Sequence, residues 1–229
     1  MRKFVMGDIH GAYKALKQCL ERSGFDYDQD ELIFLGDVCD GWPETNQSIE
    51  ELLKIKKLTF VLGNHDHWAL QWGKDGIKSH IWLSQGGRNT VNSYGNEGMP
   101  TEHVEFLEKA QSYHLQGEAL FVHAGIDPDL PLDKQDDEIF LWDRALVKKA
   151  IENKMHGTEN TLTDFEAVYV GHTPVHGYGF LEPVRSGDIW LMDTGAGWDG
   201  VLSMMDLESQ EVFTSDKVNT LYPAGSGRM

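Results

Sequence analysis

The stretch Lys3-Phe4-Val5-Met6-Gly7-Asp8-Ile9-His10-Gly11 sets the pattern from which the fold is read. A short apolar run ends at a glycine, and side chains able to bind metals or protons follow at once. The pattern recurs down the chain. Leu32 to Leu35 leads into Gly36-Asp37-Val38-Cys39-Asp40, and Leu58 to Leu62 into Gly63-Asn64-His65-Asp66. Ala119 to Val122 leads into His123-Ala124-Gly125, Val168 to Val170 into Gly171-His172-Thr173, and Ile189 to Met192 into Asp193-Thr194-Gly195. Runs of this length without polar alternation read as strands buried on both faces. Helical spacing lies between them: Leu16, Cys19 and Leu20 share a face, as do Ile49, Leu52 and Leu53. Val104 with Leu107, and the stretch from Ile139 to Val147, predict two further helices. Strands alternating with helices imply an α/β fold, in which ligands collect beyond the carboxyl ends of the strands. That edge is where the Asp, His and Asn residues fall.

The rest of the chain frames this core. Val201 to Leu207 and Glu211 to Ser215 predict a hairpin around Ser209-Gln210. The segment from Trp68 to Met99, with Trp68, Trp72 and Trp82 among many glycines, reads as a partly ordered insertion beside the site. Its tryptophans are expected to be local core. Residues 1–222 are expected to form one domain, and 223–229, rich in Gly and Ser, a disordered tail.

Bulk properties narrow the function. A content of 40% hydrophobic and 25% charged residues suits a globular protein. No apolar run is long enough to span a bilayer, and Gly7-Asp8 arrives too early to leave room for a signal peptide. The formal net charge of -17 repels nucleic acid and anionic membranes, so neither is an expected partner. Cys19 and Cys39 are too few for a disulfide framework and suit a reducing compartment, which makes the cytoplasm the expected location.

The strand-end side chains form an oxygen and nitrogen donor set. It suits manganese, iron or zinc and lacks the thiolates of a structural zinc site. Two metals held close together can clamp a phosphate and activate water near neutral pH. Each motif alone has an ordinary reading. Gly-Asp-x-His-Gly can be a turn with a capping Asp, Gly-Asn-His-Asp a hairpin turn, and a lone His123 or His172 a satisfied core histidine. Together, at successive strand ends, they point to a metal site.

The succession Gly-Asp-Ile-His-Gly, Gly-Asp-x-x-Asp, Gly-Asn-His-Asp, His-Ala-Gly and Gly-His-Thr resembles the phosphoprotein phosphatase branch of the calcineurin-like metallophosphoesterases, in its compact bacterial and phage form. The resemblance runs from about Lys3 to Leu207. It implies two mixed β-sheets packed as a sandwich between helices. It implies two divalent ions, manganese first, with iron or zinc as alternatives. Asp8, His10 and Asp37 would hold one ion, and Asp37, Asn64, His123 and His172 the other. A metal-bridging hydroxide would attack phosphorus in line. His65 would be the general acid, oriented by Asp40, while Asn64 and Arg144 (from Trp142-Asp143-Arg144) would bind the phosphate. Asp193 would line the site, Asp66 would cap or turn, and Cys39 would act as a small buried hydrophobe.

One position departs from the family pattern. Gly-Asp-x-x-Asp is usually followed by Arg-Gly, whereas this chain has Gly41-Trp42. One phosphate contact worth roughly 1.5–3 kcal/mol is therefore missing unless another side chain supplies it. Arg88 and Arg185 are the candidates by sequence. The space could let Trp42 face an aromatic leaving group such as phosphotyrosine, and the Gly-Asp-x-Cys-Asp-Gly form is similar to the rhizobial-like branch, which has tyrosine-directed members. The expected activity is therefore phosphomonoester hydrolysis, with a phosphorylated protein (at Ser/Thr or Tyr) as the leading substrate and a small phosphoester as an alternative. The alternatives are hydrolysis of a dinucleoside tetraphosphate, for which Trp42 or Trp198 could stack on a base, and a catalytically silent binding module.

Overall fold

The computed structural model describes residues 1–228. Its strands are β1 (Lys3–Met6), β2 (Glu31–Phe34), β3 (Lys57–Phe60), β4 (Tyr113–Gln116), β5 (Ala119–Val122), β6 (Ala167–Val170), β7 (Val184–Ser186), β8 (Ile189–Leu191), β9 (Ser203–Asp206) and β10 (Val212–Thr214). They form two five-stranded sheets, ordered β10-β9-β1-β2-β3 and β4-β5-β6-β8-β7. Within the first sheet β1, β2 and β3 are parallel, and within the second β5, β6 and β8 are parallel. The remaining pairings are antiparallel, so both sheets are mixed.

The helices are α1 (Tyr13–Arg22), α2 (Thr45–Leu52), α3 (Asn64–Asp75), α4 (His80–Trp82), α5 (Arg88–Tyr94), α6 (Thr101–Glu108), α7 (Asp137–Trp142), α8 (Ala145–Met155) and α9 (Val218–Leu221). Among the described residues no helix is long and apolar enough to cross a membrane.

The period-2 alternation of strand side chains explains the unbroken apolar runs. Phe4, Met6, Leu32 and Phe34 pack outward against Leu16 and Leu20 of α1 and Ile49 and Leu52 of α2. Their neighbours Val5, Ile33 and Leu35 point inward and meet Phe121, Tyr169, Trp190 and Met192 of the other sheet. On that sheet Leu120, Val122, Val168, Val170, Ile189 and Leu191 face Leu146, Val147 and Ile151 of α8. Every central strand is thus apolar on both faces, and the layers run helix, sheet, sheet, helix.

Register brings the site together. Met6 pairs with Phe34 and Phe34 with Phe60, so β1, β2 and β3 end flush. Val122 pairs with Val170 and Val170 with Leu191, so β5, β6 and β8 do the same. The inward-facing core joins the sheets, and their carboxyl edges meet in one place.

Three features differ from the sequence reading. The edge strands β4 and β7 were not expected, because Tyr113-His114-Leu115-Gln116 and Val184-Arg185-Ser186 carry polar residues suited to an edge. The stretch from Ile139 to Val147 is two helices, since Asp143 is extended and its carboxylate accepts the amides of Ala145 (3.0 Å) and Leu146 (3.3 Å) to start α8. The segment from Trp68 to Met99 is mostly helical rather than partly ordered. Trp72, Trp82 and Tyr94 pack on one another, and Gly87 permits this because a Cβ there would lie 2.5 Å from the Trp82 ring. Residues 223–228 follow Tyr222, whose ring stacks on Trp42 at 4.9 Å, and Ser226 O accepts from Asn89 Nδ2 at 2.8 Å. Met229 lies outside the described residues.

Phe121 stacks on Tyr169 with ring centroids 4.7 Å apart, and Tyr169 on Trp190 at 6.2 Å, in the layer between the sheets. Phe121→Ala should lower unfolding stability by about 3–5 kcal/mol. Urea titration followed by circular dichroism tests this; a loss below about 1 kcal/mol would mean that the sheets do not depend on the stack.

Candidate metal centre

Sharp turns aim the side chains at the strand edge. His10, Asp37, Asp40 and His172 all have positive φ, at 51°, 60°, 69° and 61°. Left-handed backbone at non-glycine residues is strained by about 1–3 kcal/mol each and gathers at functional sites. Glycines allow close approach: a Cβ on Gly63 would lie 2.1 Å from Asp37 Oδ1, and one on Gly171 2.2 Å from Asp8 Oδ1.

Two donor groups result, Asp8 with His10 and Asp37, and Asp37 with His123 and His172. Asp37 belongs to both. Its Oδ1 accepts the His65 amide at 2.9 Å, which leaves Oδ2 facing His10 Nε2 at 3.7 Å and His123 Nε2 at 3.4 Å. Asp8 Oδ2 lies 3.8 Å from His10 Nε2, and its carboxylate accepts the His172 amide at 3.0 Å. Asn64 Oδ1 is 3.0 Å from both His123 Nε2 and His172 Nδ1. Two rings are oriented from behind, with His123 Nδ1 donating to Leu35 O at 2.8 Å and His10 Nδ1 to Cys39 O at 3.0 Å. Their Nε2 lone pairs therefore face the carboxylates.

The electrostatics ask for cations. Burial, with the charges of Asp193 and Asp37, pushes Asp8 well above the usual carboxylate range, and burial raises Asp193 to about 6. Asp37 behaves in the opposite way. Burial would raise it, but His123, His65 and His10 outweigh that and hold it well below the usual range. Burial and neighbouring His123 and Arg144 take His172 down to about 2. Buried carboxylates and imidazoles set around one shared oxygen match what two divalent ions require.

His65 stands beside this cluster. Its Nδ1 is 2.7 Å from Asp40 Oδ2, and Asp40 is completely buried. Trp82 Nε1 donates to the same oxygen at 2.8 Å, and Thr90 Oγ1 to Oδ1 at 2.7 Å. Sequence reasoning missed Trp82 and Thr90, because both lie in the helical segment and no local pattern links them to Asp40. Asp66 does more than cap α3: its carboxylate accepts the amides of Asp37 (2.6 Å), Cys39 (3.1 Å) and Gly63 (3.3 Å), tying two site loops together.

A cavity of about 350 Å³ opens over these groups, lined among others by His65, Trp68, Trp142, Arg144 and Trp198. Trp68 therefore borders the cavity instead of being local core alone. Arg144 donates from Nε to His172 Nε2 at 3.1 Å. A larger cavity of about 470 Å³ lies around Ile126, Leu146 and Leu162, and none of the donor residues lines it.

The expectations around Gly41 are corrected. Trp42 is buried under Tyr222, and its indole donates to Ala196 O at 2.7 Å, so it does not face a leaving group. Arg185 lies over Trp190, and Arg88 lines a neighbouring cavity with Leu83, Ser84 and Arg228 rather than the one over the donor groups. The guanidinium that reaches the site is Arg228, 2.7 Å from His10 Nδ1 and 3.3 Å from His65 Nε2.

The calcineurin-like phosphoesterase family matches residues 1–196. The chain belongs to that family. Its members depend on a two-metal centre, which the paired donor groups fit. The chain is 33% identical over 132 residues to the symmetrical bis(5'-nucleosyl)-tetraphosphatase of Dechloromonas aromatica, covering 56% of this chain and 45% of that protein. It is 26% identical over 212 residues to serine/threonine-protein phosphatase 1 of Salmonella typhimurium, covering 90% and 91%. The match thus spans about half the length of the tetraphosphatase and nearly all of the phosphatase. Among solved structures, a protein serine/threonine phosphatase from Saccharomyces cerevisiae superposes with a TM-score of 0.63 at 13% identity, covering 100% of this chain and 83% of that one. The relatives are hydrolases of phosphoric esters.

Asp66→Ala removes the acceptor for three buried amides. It should lower stability by about 1–3 kcal/mol or more, and a denaturation midpoint unchanged from wild type would count against the linking role.

Proposed function

We propose that the chain is a dinuclear-metal-dependent phosphomonoester hydrolase that acts on phosphorylated proteins. The carrying observation is Asp37, whose single free oxygen faces both donor groups. Asp8, His10 and Asp37 would hold one ion, and Asp37, Asn64, His123 and His172 would hold the other. The ions, manganese first, supply Lewis acidity toward phosphoryl oxygens and activation of the attacking water.

The chain's own groups do the rest. His65 donates a proton from Nε2 to the leaving oxygen, and Asp40 holds the ring through Nδ1 and stabilises its charge. Trp82 and Thr90 fill the remaining acceptor sites of Asp40 and stop it turning. When His172 Nδ1 is a metal donor, the ring proton sits on Nε2 and repels the Arg144 N–H. Arg144 is thereby released toward phosphate, where its planar fork can grip two oxygens. The coverage of serine/threonine-protein phosphatase 1 along nearly its whole length favours a phosphoprotein substrate.

A second reading, hydrolysis of a dinucleoside polyphosphate, is favoured by the tetraphosphatase relative and by Trp198, which is 47% exposed at the cavity rim and could stack on a base. Manganese-loaded protein assayed on p-nitrophenyl phosphate, phosphoserine and phosphotyrosine peptides and diadenosine tetraphosphate separates the readings. We expect turnover of the monoesters; turnover of the tetraphosphate alone would favour the second reading. No turnover with any divalent metal would indicate a silent binding module.

His65→Asn should keep both metals and lose turnover by a factor on the order of 10² to 10⁴, the usual contribution of a general acid. Asp37→Asn should lose metal and activity together. Metal analysis showing His65→Asn to be empty would make it a ligand instead.

A pH effect follows from His123. Burial lowers its affinity for a proton, but the Asp37 carboxylate outweighs this and raises its pKa to about 10. Below that value the metal-stripped ring is protonated, so metal must displace the proton. Metal affinity at the His123 site should therefore rise with pH, with about one proton released when that site fills near neutral pH. Calorimetry in buffers of different ionisation enthalpy reads this release directly, and a buffer-independent heat would contradict it.

A further inference from the structure

We infer that Arg228, carried in by the C-terminal tail, is a phosphate-binding residue of this site and takes the place of the arginine missing at Gly41. The inference rests on the phosphoesterase reading above. It starts from a backbone constraint. Gly41 has φ of +102°, a conformation that L side chains rarely adopt. Arginine at that position would be strained whatever the space around it. An ideal Cβ there would nevertheless come within 3.4 Å of Arg228 Nε. The tail therefore delivers its guanidinium to the point where a side chain at residue 41 would begin.

The tail is seated by specific contacts. Tyr222 stacks on Trp42, accepts the Lys14 amide at 3.1 Å and hydrogen-bonds Glu44. Asn89 donates through Nδ2 to both Gly41 O and Ser226 O, the latter at 2.8 Å, so one amide ties the altered motif to the tail. Gly227 lies flat on Trp42, where a Cβ would stand 2.9 Å from the ring. Arg228 then stacks over Trp198 at 5.1 Å, and its Nη2 faces His10 and His65 inside the cavity.

Two features point this guanidinium at an anion. Its Nε–H is buried and has no partner among the described residues. A buried donor without an acceptor is costly, and a phosphate oxygen would satisfy it. Moreover, His10 Nε2, 3.2 Å from Arg228 Nη2, also faces the Asp8 and Asp37 carboxylates where a metal would sit. Two cations sharing one ring repel each other, and a phosphate dianion between them removes the repulsion. Arg144 reaches the cavity from the turn between α7 and α8, beside His172, and Arg228 from the side of His10 and His65, so the two can hold a phosphoryl group from two directions.

The test uses the full chain loaded with manganese, as wild type, Arg228→Ala and Arg228→Lys. Inorganic phosphate is titrated calorimetrically, and p-nitrophenyl phosphate kinetics and metal content are measured alongside. For Arg228→Ala, phosphate Kd and KM should both rise about ten- to a hundredfold, with kcat within about twofold and metal content unchanged. Arg228→Lys should recover part of the affinity, because a point charge replaces a planar fork. An unchanged Kd would overturn the inference. So would a fall in KM or a gain in turnover, which would make the tail a plug. Wild-type protein that binds phosphate through Arg228 but hydrolyses no ester would sink the hydrolase reading and leave this one standing. Wild-type protein that binds no phosphate would overturn both.

Discussion

One carboxylate organises this molecule. Asp37 gives an oxygen to the backbone of His65 and turns the other toward two groups of histidines. That arrangement needs Gly63 with no side chain, a strained backbone at Asp37 itself, and Asp66 gathering the amides of the loop. It also keeps Asp37 ionised in a buried position, because surrounding imidazoles outweigh the desolvation that raises its neighbours Asp8 and Asp193. Charge concentrated at one point, with acceptors on either side, is what a pair of cations requires.

The sandwich serves this point. The first sheet alone supplies Asp8, His10 and Asp37, but the second group is shared: Asp37 and Asn64 follow strands of the first sheet, and His123 and His172 follow strands of the second. The aromatic layer of Phe121, Tyr169 and Trp190 holds the two edges together, and the amide of His172 reaches across to Asp8. Slippage between the sheets would therefore separate the donors of the second group.

A second support comes from the helical segment after β3. Asp40 sits without solvent among Trp82, Thr90 and His65, so its charge is met entirely by hydrogen bonds. The same segment supplies Asn89, which holds the tail. The part of the chain that looks least regular as a sequence therefore carries both the partners that hold Asp40 and the anchor for the C-terminal Arg228.

The strand-end donors were legible in the sequence because each follows its own apolar run, and a parallel strand delivers whatever comes after it to the same edge. The helix on each side of β2 was legible for the same local reason, periodicity on one face. Order in residues 68–99 was not, because its tryptophans are buried by contacts among themselves that no short-range period encodes. The partners of Asp40 escaped notice because Trp82 and Thr90 lie 42 and 50 residues away. Arg228 escaped for the same reason at greater length: it reaches His10 across 218 residues. The sequence by itself determined the α/β class and the strand-end placement of the Asp, His and Asn side chains, since these depend on residue type and local spacing, and the resemblance to the family marked the departure at Gly41. Only the tertiary structure decided which oxygen of Asp37 is free, what holds Asp40 and which guanidinium stands beside Gly41, since those depend on side chains that meet only when distant segments pack.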